Sequence, residues 1–367
     1  MLYACRMLLA ALLAAPLLTA PLLVSCAASS PRAGVALKTE EFLVPARDPG
    51  IELYVRNKAP RALSEFSPQK TVLFVHGATY PSEIVFDLDV GEGSWMEYIA
   101  QRGYDVYLLD VRGYGRSTRP PVMSQPPDAS APFARAEEVV QDIGAAVDFI
   151  LQRRGLSQLS LIGWSWGTTT TALYATREPQ KVAKLVMHAP VFTPGPGASP
   201  PPPVPLTAYR SVTLDAARER WFRGVAEEQR AALVPQAWFE RWGRALLASD
   251  PEGARQTPPA ARAPNGVLVD LFGEWMQGRR LYDPALVRAP TLIIKAEWDV
   301  DTPAAMAQGL FASLSAAPYK SYIEIGQGTH MLMLEKNRMR LFREVQAFLD
   351  DEALGASEAP AQSASTR

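Results

Sequence analysis

Ser165 has the sequence surroundings of a nucleophile. It stands at the centre of GWSWG (163–167), after the apolar run LSLI and before TTTTALYATREP (168–179), which can form a helix. Glycines on both sides permit a turn tight enough to expose the hydroxyl at the end of a strand, with the next amide at the start of a helix. The G-x-S-x-G pattern between a strand and a helix predicts that Ser165 attacks a substrate.

A serine hydroxyl is a poor nucleophile unless a base accepts its proton. The chain contains three histidines that are candidates for this base: His76, His188 and His330. His76 and His188 end apolar runs, whereas His330 follows the last such run and precedes the last helical stretch. Carboxylates that can orient the base occur in EWDVD (297–301). These residues by themselves leave both the base and the acid open.

The elements that must position these residues alternate along the chain. Short β-rich runs occur at 51–57, 71–77, 105–110, 159–165, 184–190, 291–297 and 322–326. Helical spacing of apolar residues occurs between them, at 95–103, 136–155 and 335–351. The later runs are apolar throughout, which is typical of parallel strands that helices cover on both faces. The alternation predicts an α/β protein with a doubly wound, mostly parallel sheet.

Five motifs resemble the α/β-hydrolase superfamily and occur in its order. They are HGAT (76–79), DVRGYGRS (110–117), GWSWG (163–167), AEWDVDTP (296–303) and GTH (328–330). The resemblance implies the α/β-hydrolase fold and the chain order nucleophile, acid, base, with His330 as the base. In the family pattern G-x-x-D-x-x-x-P, Ala296 takes the glycine place and Pro303 the proline place. This implies Asp299 as the acid, with Asp301 as the alternative.

The same resemblance implies the rest of the reaction. The H-G-x loop places the backbone N–H of Ala78 beside that of Trp166 as donors to a developing oxyanion. We expect a serine hydrolase that cleaves a carboxylic ester through an acyl-enzyme, with no cofactor and no metal. Some similar proteins are prolyl aminopeptidases, so a peptidase or amidase is the alternative; a non-catalytic envelope-binding lipoprotein is less favoured. An aminopeptidase needs a cap carboxylate for the free amine, and the candidates are Asp215, Glu219, Glu227 and Glu228.

Bulky apolar residues adjoin the candidate catalytic positions. Trp164, Trp298 and Met331 predict a pocket for a small-molecule ester or amide that carries an apolar group. The segment 191–282 starts with a proline tract and is then rich in aromatic residues, namely Trp221, Phe222, Trp238, Phe239, Trp242, Phe272 and Trp275. We expect this segment to form a helical cap, either with a small core of its own or with rings that line the site as a lid.

The N-terminal residues resemble a bacterial signal peptide, because Arg6 precedes an uncharged apolar stretch that ends at LVSC (23–26). LVSC resembles the lipobox, which implies cleavage before Cys26 and lipid attachment to that cysteine. We therefore expect a protein of the bacterial cell envelope, anchored to the membrane by lipid and facing the periplasm or exterior. A secreted soluble protein and a retained membrane anchor are the alternatives. The net charge of -1 gives no field that favours nucleic acid as a partner.

These patterns divide the chain into five parts. The parts are a signal peptide (1–25), a tether (26–39), an α/β-hydrolase core (40–190 and 283–351), a Pro-rich linker with a helical cap (191–282) and a disordered tail (352–367). The tether is small, polar and patternless, and the tail has almost no large apolar residue.

Overall fold

The apolar runs of the sequence form a central β-sheet in the computed structural model, which describes residues 34–193 and 206–355. The strands of this described part are β1 (Leu37–Pro45), β2 (Glu52–Pro60), β3 (Thr71–Val75), β4 (Asp105–Leu109), β5 (Leu159–Trp164), β6 (Val182–His188), β7 (Tyr209–Thr213), β8 (Ala260–Pro264), β9 (Thr291–Ala296) and β10 (Lys320–Ile325). The eight-stranded sheet has the order β1-β2-β4-β3-β5-β6-β9-β10. The pairs β1–β2 and β2–β4 are antiparallel and the others are parallel. The predicted doubly wound, mostly parallel sheet is confirmed.

Helices cover both faces of this sheet. The α-helices of the described part are α1 (Ser82–Phe86), α2 (Trp95–Ala100), α3 (Ala136–Arg154), α4 (Trp166–Arg177), α5 (Leu214–Trp221), α6 (Glu227–Leu233), α7 (Gln236–Ala248), α8 (Gly266–Gly273), α9 (Ala304–Ser313) and α10 (Arg338–Asp350). Successive residues of β3 enter different hydrophobic clusters, since Phe74 packs with residues of α2 and α10 whereas Leu73 packs with residues of α3 and α4. All of β3 is buried for this reason, as its continuous apolar run predicts.

Two elements of the structure extend a few residues past predicted domain boundaries. Strand β1 begins at Leu37, inside the predicted tether, and pairs along its whole length with β2. Its residues are mostly exposed or half-buried, so this edge strand lacks the continuous apolar run that marked the others. Residues 352–355 form a turn of 3-10 helix, although they were assigned to the tail.

Several predictions concern residues outside the described part. These are the signal peptide, Cys26, most of the tether, the proline tract (194–205) and the tail after residue 355. Within the described part, no helix has both the length and the apolar character that a membrane span requires.

The cap differs from the expected helical subdomain. Besides α5 to α8 it contains a two-stranded antiparallel sheet formed by β7 and β8. Four of its aromatic rings pack on one another, namely Trp221, Phe222, Phe239 and Trp242. Their cluster is continuous with the core, because Trp242 meets Tyr80 edge-on at 5.0 Å and Trp221 belongs to the same hydrophobic cluster as Phe74. Periodicity predicts that a helix has an apolar face, but it does not predict which surface that face meets.

Candidate active site

Ser165 occupies a strained turn between β5 and α4. Its φ of 56° and ψ of −125° are unusual for a residue with a side chain, and such strain costs about 1–3 kcal/mol. A Cβ atom on Gly163 would lie 2.5 Å from the carbonyl oxygen of Gly167, and one on Gly167 would collide with the carbonyl oxygen of Val75. The backbone therefore approaches itself so closely that both positions require glycine.

Gly163→Ala should be strongly destabilising. Its new methyl group meets backbone atoms of the turn itself, which cannot move without displacing Ser165, so we expect the unfolding free energy to fall by about 3 kcal/mol or more. Gly273→Ala is the matched control, since a Cβ atom there meets no atom within 4 Å. Urea denaturation of both variants measures the difference, and equal stability would contradict the close approach.

Three side chains from distant loops meet at this turn. His330 Nε2 lies 2.8 Å from Ser165 Oγ, and His330 Nδ1 lies 2.9 Å from Asp299 Oδ2. All three residues are at most 6% exposed. An Nδ1–H that donates to the carboxylate leaves Nε2 free to accept the serine proton. This hydrogen-bonded series is the arrangement that nucleophilic attack by a serine requires.

Asp299 is held as an anion by its surroundings. Burial alone would raise the pKa of Asp299, but the charge and hydrogen bond of His330 and the hydrogen bonds from Thr302 hold that pKa well below its ordinary value. The backbone N–H groups of Asp301 and Thr302 each donate to Asp299 Oδ1 at 3.0 Å, and the Thr302 hydroxyl donates to Oδ2 at 2.6 Å. One carboxylate oxygen thus shapes the loop while the other faces the histidine.

Asp301, the alternative acid, points elsewhere. Its Oδ2 accepts a hydrogen bond from Arg220 Nε at 2.7 Å and its Oδ1 accepts one from Arg223 Nη1 at 3.0 Å. Both arginines belong to the cap. Asp301 therefore pairs with two cap arginines, and Asp299 is the carboxylate that pairs with His330.

Ala78 and Trp166 both line the cavity that contains Ser165. Among the described residues, no acceptor takes a hydrogen bond from the backbone N–H of either one. The loop at Ala78 is fixed from behind, because the Tyr114 hydroxyl donates to the Ala78 carbonyl oxygen at 2.7 Å. These two amides are therefore available to a substrate oxygen next to the serine.

The other two histidines support the backbone of the site. His76 Nδ1 lies 2.7 Å from the Gly77 carbonyl oxygen and its Nε2 accepts a hydrogen bond from the Val111 N–H, so the ring ties the Ala78 loop to the end of β4. Burial lowers the pKa of His76 and of His188 to about 4, and the charge of His330 acts in the same direction on His188. The His188 carbonyl oxygen accepts the Ser165 N–H at 2.9 Å. Both rings are neutral structural groups.

The structure places the predicted substrate contacts Trp164, Trp298 and Met331 away from the cavity lining. None of the three lines the cavity at Ser165. Trp164 and Met331 are buried in the core, and Trp164 Nε1 donates to the His330 carbonyl oxygen at 2.9 Å. Trp298 lies at a separate surface depression beside Leu233 of α6. Adjacency in sequence misleads here because successive residues of a strand or turn point in different directions.

The cavity at Ser165 has a volume of about 260 Å³ and a mixed lining. Its apolar part consists of Val191, Val267, Leu268, Leu271, Trp275 and Met306. Its charged part consists of Arg210, Arg220, Arg223 and Asp301. Of the seven aromatic residues named for the cap segment, Trp275 is the one that lines this cavity. The described residues contain no cluster of metal-ligating side chains.

Sequence reasoning missed Arg210, Arg220 and Glu335. The arginines are far from the serine in sequence and belong to no motif. Glu335 is fully buried, and it accepts hydrogen bonds from Trp221 Nε1 in the cap at 3.0 Å and from the backbone N–H of Thr329 at 3.0 Å, next to His330. The Thr329 hydroxyl also donates to it. This carboxyl group connects the cap to the loop that carries the histidine.

Glu335 should make the protein less stable as the pH rises. Burial raises its pKa to about 7 in spite of its hydrogen bonds, so the folded state holds this proton more tightly than the unfolded state. The resulting stability is present below about pH 4.5 and is lost as the pH rises through about 7. In Glu335→Gln the loss of unfolding free energy between about pH 5 and pH 8 should be smaller by about 2–3 kcal/mol. Denaturation at both pH values tests this, and identical pH dependence in the two proteins would contradict it.

Comparison with known proteins agrees with this geometry. A family model described as alpha/beta hydrolase fold matches residues 70–336. Proline iminopeptidase from Neisseria gonorrhoeae is 26% identical over 232 residues, which cover 54% of this chain and 67% of that protein. Lipase member N from Homo sapiens is 26% identical over 150 residues, which cover 41% of this chain and 38% of the lipase.

Solved structures show the same fold. A thermophilic esterase from Thermogutta terrifontis superimposes with a TM-score of 0.54 at 16% identity, over 86% of this chain and 100% of the esterase chain. The family match spans the strained turn, the acid loop and the histidine loop, together with the cap between them. The chain therefore belongs to the alpha/beta hydrolase fold family.

Proposed function

We propose that the protein is a serine hydrolase that cleaves a carboxylic ester through an acyl-enzyme. The observation that carries this proposal is the pair of contacts made by His330, with Nε2 2.8 Å from Ser165 Oγ and Nδ1 2.9 Å from Asp299 Oδ2. Oriented in this way, the imidazole can accept the serine proton during attack.

The reaction has two halves. Ser165 Oγ attacks the carbonyl carbon while His330 Nε2 takes its proton, and Asp299 stabilises the imidazolium that forms. The amides of Ala78 and Trp166 donate to the oxyanion. His330 then gives the proton to the leaving alcohol, and the acyl group stays on Ser165. Water attacks this acyl-enzyme with His330 as the base, which releases the acid and restores the serine.

The charge of the cavity supports an ester rather than an aminoacyl substrate. A free amine is a cation near neutral pH, and a site for it needs an available carboxylate. The cap carboxylates Asp215, Glu219 and Glu227 line a different groove, between α5 and α6, and Glu228 is exposed. Among the described residues that line the Ser165 cavity, the carboxylate is Asp301, and both of its oxygens bind arginines.

The test compares p-nitrophenyl esters of increasing chain length with aminoacyl-arylamides that have a free amine. Purified protein is assayed beside Ser165→Ala, and both are treated with a fluorophosphonate that labels activated serines. We expect ester turnover and labelling that depend on Ser165. Turnover of the arylamides alone would replace the esterase proposal with a peptidase, which the similarity to proline iminopeptidase makes the second candidate. Absence of labelling would favour the non-catalytic alternative.

Lipid anchoring through Cys26 remains a prediction from the sequence alone. Mass spectrometry of the protein purified from membranes should give an N-terminus at Cys26 with an attached diacylglycerol. An unmodified N-terminus elsewhere would contradict it.

A further inference from the structure

The cavity at Ser165 carries more positive than negative charge. Arg210 from β7, Arg220 from α5 and Arg223 just after α5 line it, against Asp301 from the acid loop. Asp301 uses one oxygen for Arg220 and the other for Arg223. Its single charge therefore cannot also neutralise Arg210.

Arg210 is surrounded by neutral acceptors. Its Nη1 donates to the Pro264 carbonyl oxygen at 2.8 Å and to Asn265 Oδ1 at 3.0 Å, and its Nη2 donates to the Ala78 carbonyl oxygen and Thr79 Oγ1. Within the described part of the chain it forms no ion pair. Burial lowers the pKa of Arg210, and the charge of Arg220 acts in the same direction, but a guanidinium stays protonated at neutral pH. The cavity thus keeps a charge that no described side chain balances.

Arg210 and Arg220 converge on the same hydroxyl group. Arg210 Nη2 and Arg220 Nη1 each lie 3.0 Å from Thr79 Oγ1, one residue after Ala78. Two guanidinium groups this close repel each other in a partly desolvated site, and a bound anion offsets that repulsion. The Arg220 side chain is still 33% exposed, and its Nη2 donates to no acceptor in the described residues. A cationic donor is therefore available to a ligand beside Thr79.

We propose that the substrate is acidic and that its free carboxylate binds Arg220 beside Thr79, where the neighbouring charge of Arg210 also attracts it, while its apolar part contacts the α8 and Trp275 side of the lining. This inference rests on the proposed function, because it takes Ser165 as the nucleophile of the same cavity. The planar fork of an arginine matches a carboxylate in two hydrogen bonds, which gives both charge and direction. The apolar residues of the cavity then accommodate the hydrocarbon part of the same molecule.

Binding to Ser165→Ala tests the proposal without requiring turnover. Isothermal titration compares 4-phenylbutyrate with its uncharged amide, 4-phenylbutyramide, so that the two ligands differ in the anion alone. We expect the acid to bind at least about tenfold more tightly, as a hydrogen bond to a charged group allows. Arg220→Met, added to Ser165→Ala, should remove most of this preference, whereas Arg220→Lys should keep more of it. Equal binding of acid and amide, or an unchanged preference in Arg220→Met, would overturn the proposal.

Arg218→Met is the matched control. Arg218 lies in the same helix and bonds to Gln236 rather than to a residue of the cavity, so the preference for the acid should remain. Loss of the preference in this variant as well would mean that the cap has been disturbed, and would count against a specific site at Arg220.

Turnover distinguishes this inference from the proposed function. The measured quantity is the ratio of kcat/KM for mono-p-nitrophenyl adipate to kcat/KM for p-nitrophenyl hexanoate. This ratio should fall in Arg220→Met and persist in Arg218→Met. Damage to the oxyanion loop alone would lower both values of kcat/KM equally and leave the ratio unchanged. If the protein hydrolyses esters but binds acid and amide equally, the hydrolase proposal holds and the acidic-substrate proposal is wrong. If the protein binds the acid selectively but a fluorophosphonate does not label it, the anion site holds and the hydrolase proposal is wrong.

Discussion

Ser165→Ala should lower kcat for any ester that the protein cleaves by about a millionfold, the size of effect seen when the serine is removed from a hydrolase of this chemistry. The variant retains the amides of Ala78 and Trp166, so a small residual rate above that of water is expected. Steady-state assays with a p-nitrophenyl ester measure the loss, and fluorophosphonate labelling should disappear with it.

Ser160→Ala is a control that carries the same substitution in the strand that leads to Ser165. Ser160 is fully buried in β5, and its hydroxyl group has no hydrogen-bond partner among the described residues. It should keep kcat within about twofold, because no contact with the site is removed. Equal losses in the two variants would indicate a folding defect rather than removal of a nucleophile.

Asp299→Asn should lower kcat by about ten-thousandfold while the protein remains folded. The amide oxygen can still accept hydrogen bonds from the backbone N–H groups of Asp301 and Thr302, so the loop keeps its shape. The amide nitrogen then faces His330 Nδ1 and donates to it, which places the imidazole proton on Nε2. A ring in that tautomer cannot accept the serine proton.

Asp301→Asn is the matched comparison. It removes a charge from the same loop but breaks the pairs with Arg220 and Arg223 rather than the contact with His330. Turnover of a neutral ester should change by less than about tenfold, while binding of a carboxylate should become tighter because the cavity gains net positive charge. If Asp301→Asn instead removes most of kcat, the assignment of the acid is wrong.

The sequence predicted most of the fold because parallel strands have a pattern of their own. A strand buried on both faces, such as β3 or β9, must be apolar throughout, and that pattern is visible without a structure. Strand β1 was missed because it lies at the edge of the sheet with half of its residues near water. The two strands of the cap were missed for different reasons. Strand β7 is short and mostly half-buried, whereas β8 is buried but consists of Ala, Arg and Pro rather than large apolar residues.

The residues of the candidate site that belong to short sequence motifs could be predicted, and the others could not. Turns such as GWSWG constrain residue types locally, so Ser165, Asp299 and His330 were identified from short patterns and their order. The lining of the cavity follows no such pattern. Arg210 and Arg220 reach Thr79 only because the cap folds over the ends of the central strands, and a single sequence contains no record of that packing. Trp164 shows the converse, because it adjoins the serine in sequence but packs in the core.

The strained backbone at Ser165 lowers the stability of the protein at the same residue that its activity requires. A glycine there would adopt a φ of 56° without the steric penalty that serine incurs, so Ser165→Gly should unfold at a higher temperature than the natural protein while losing its nucleophile. A library of variants sorted for heat resistance alone would therefore enrich glycine at position 165. The same library sorted for turnover would restore serine. The difference in melting temperature between the glycine and serine proteins would report how far the strain at Ser165 outweighs the greater chain entropy of glycine in the unfolded state.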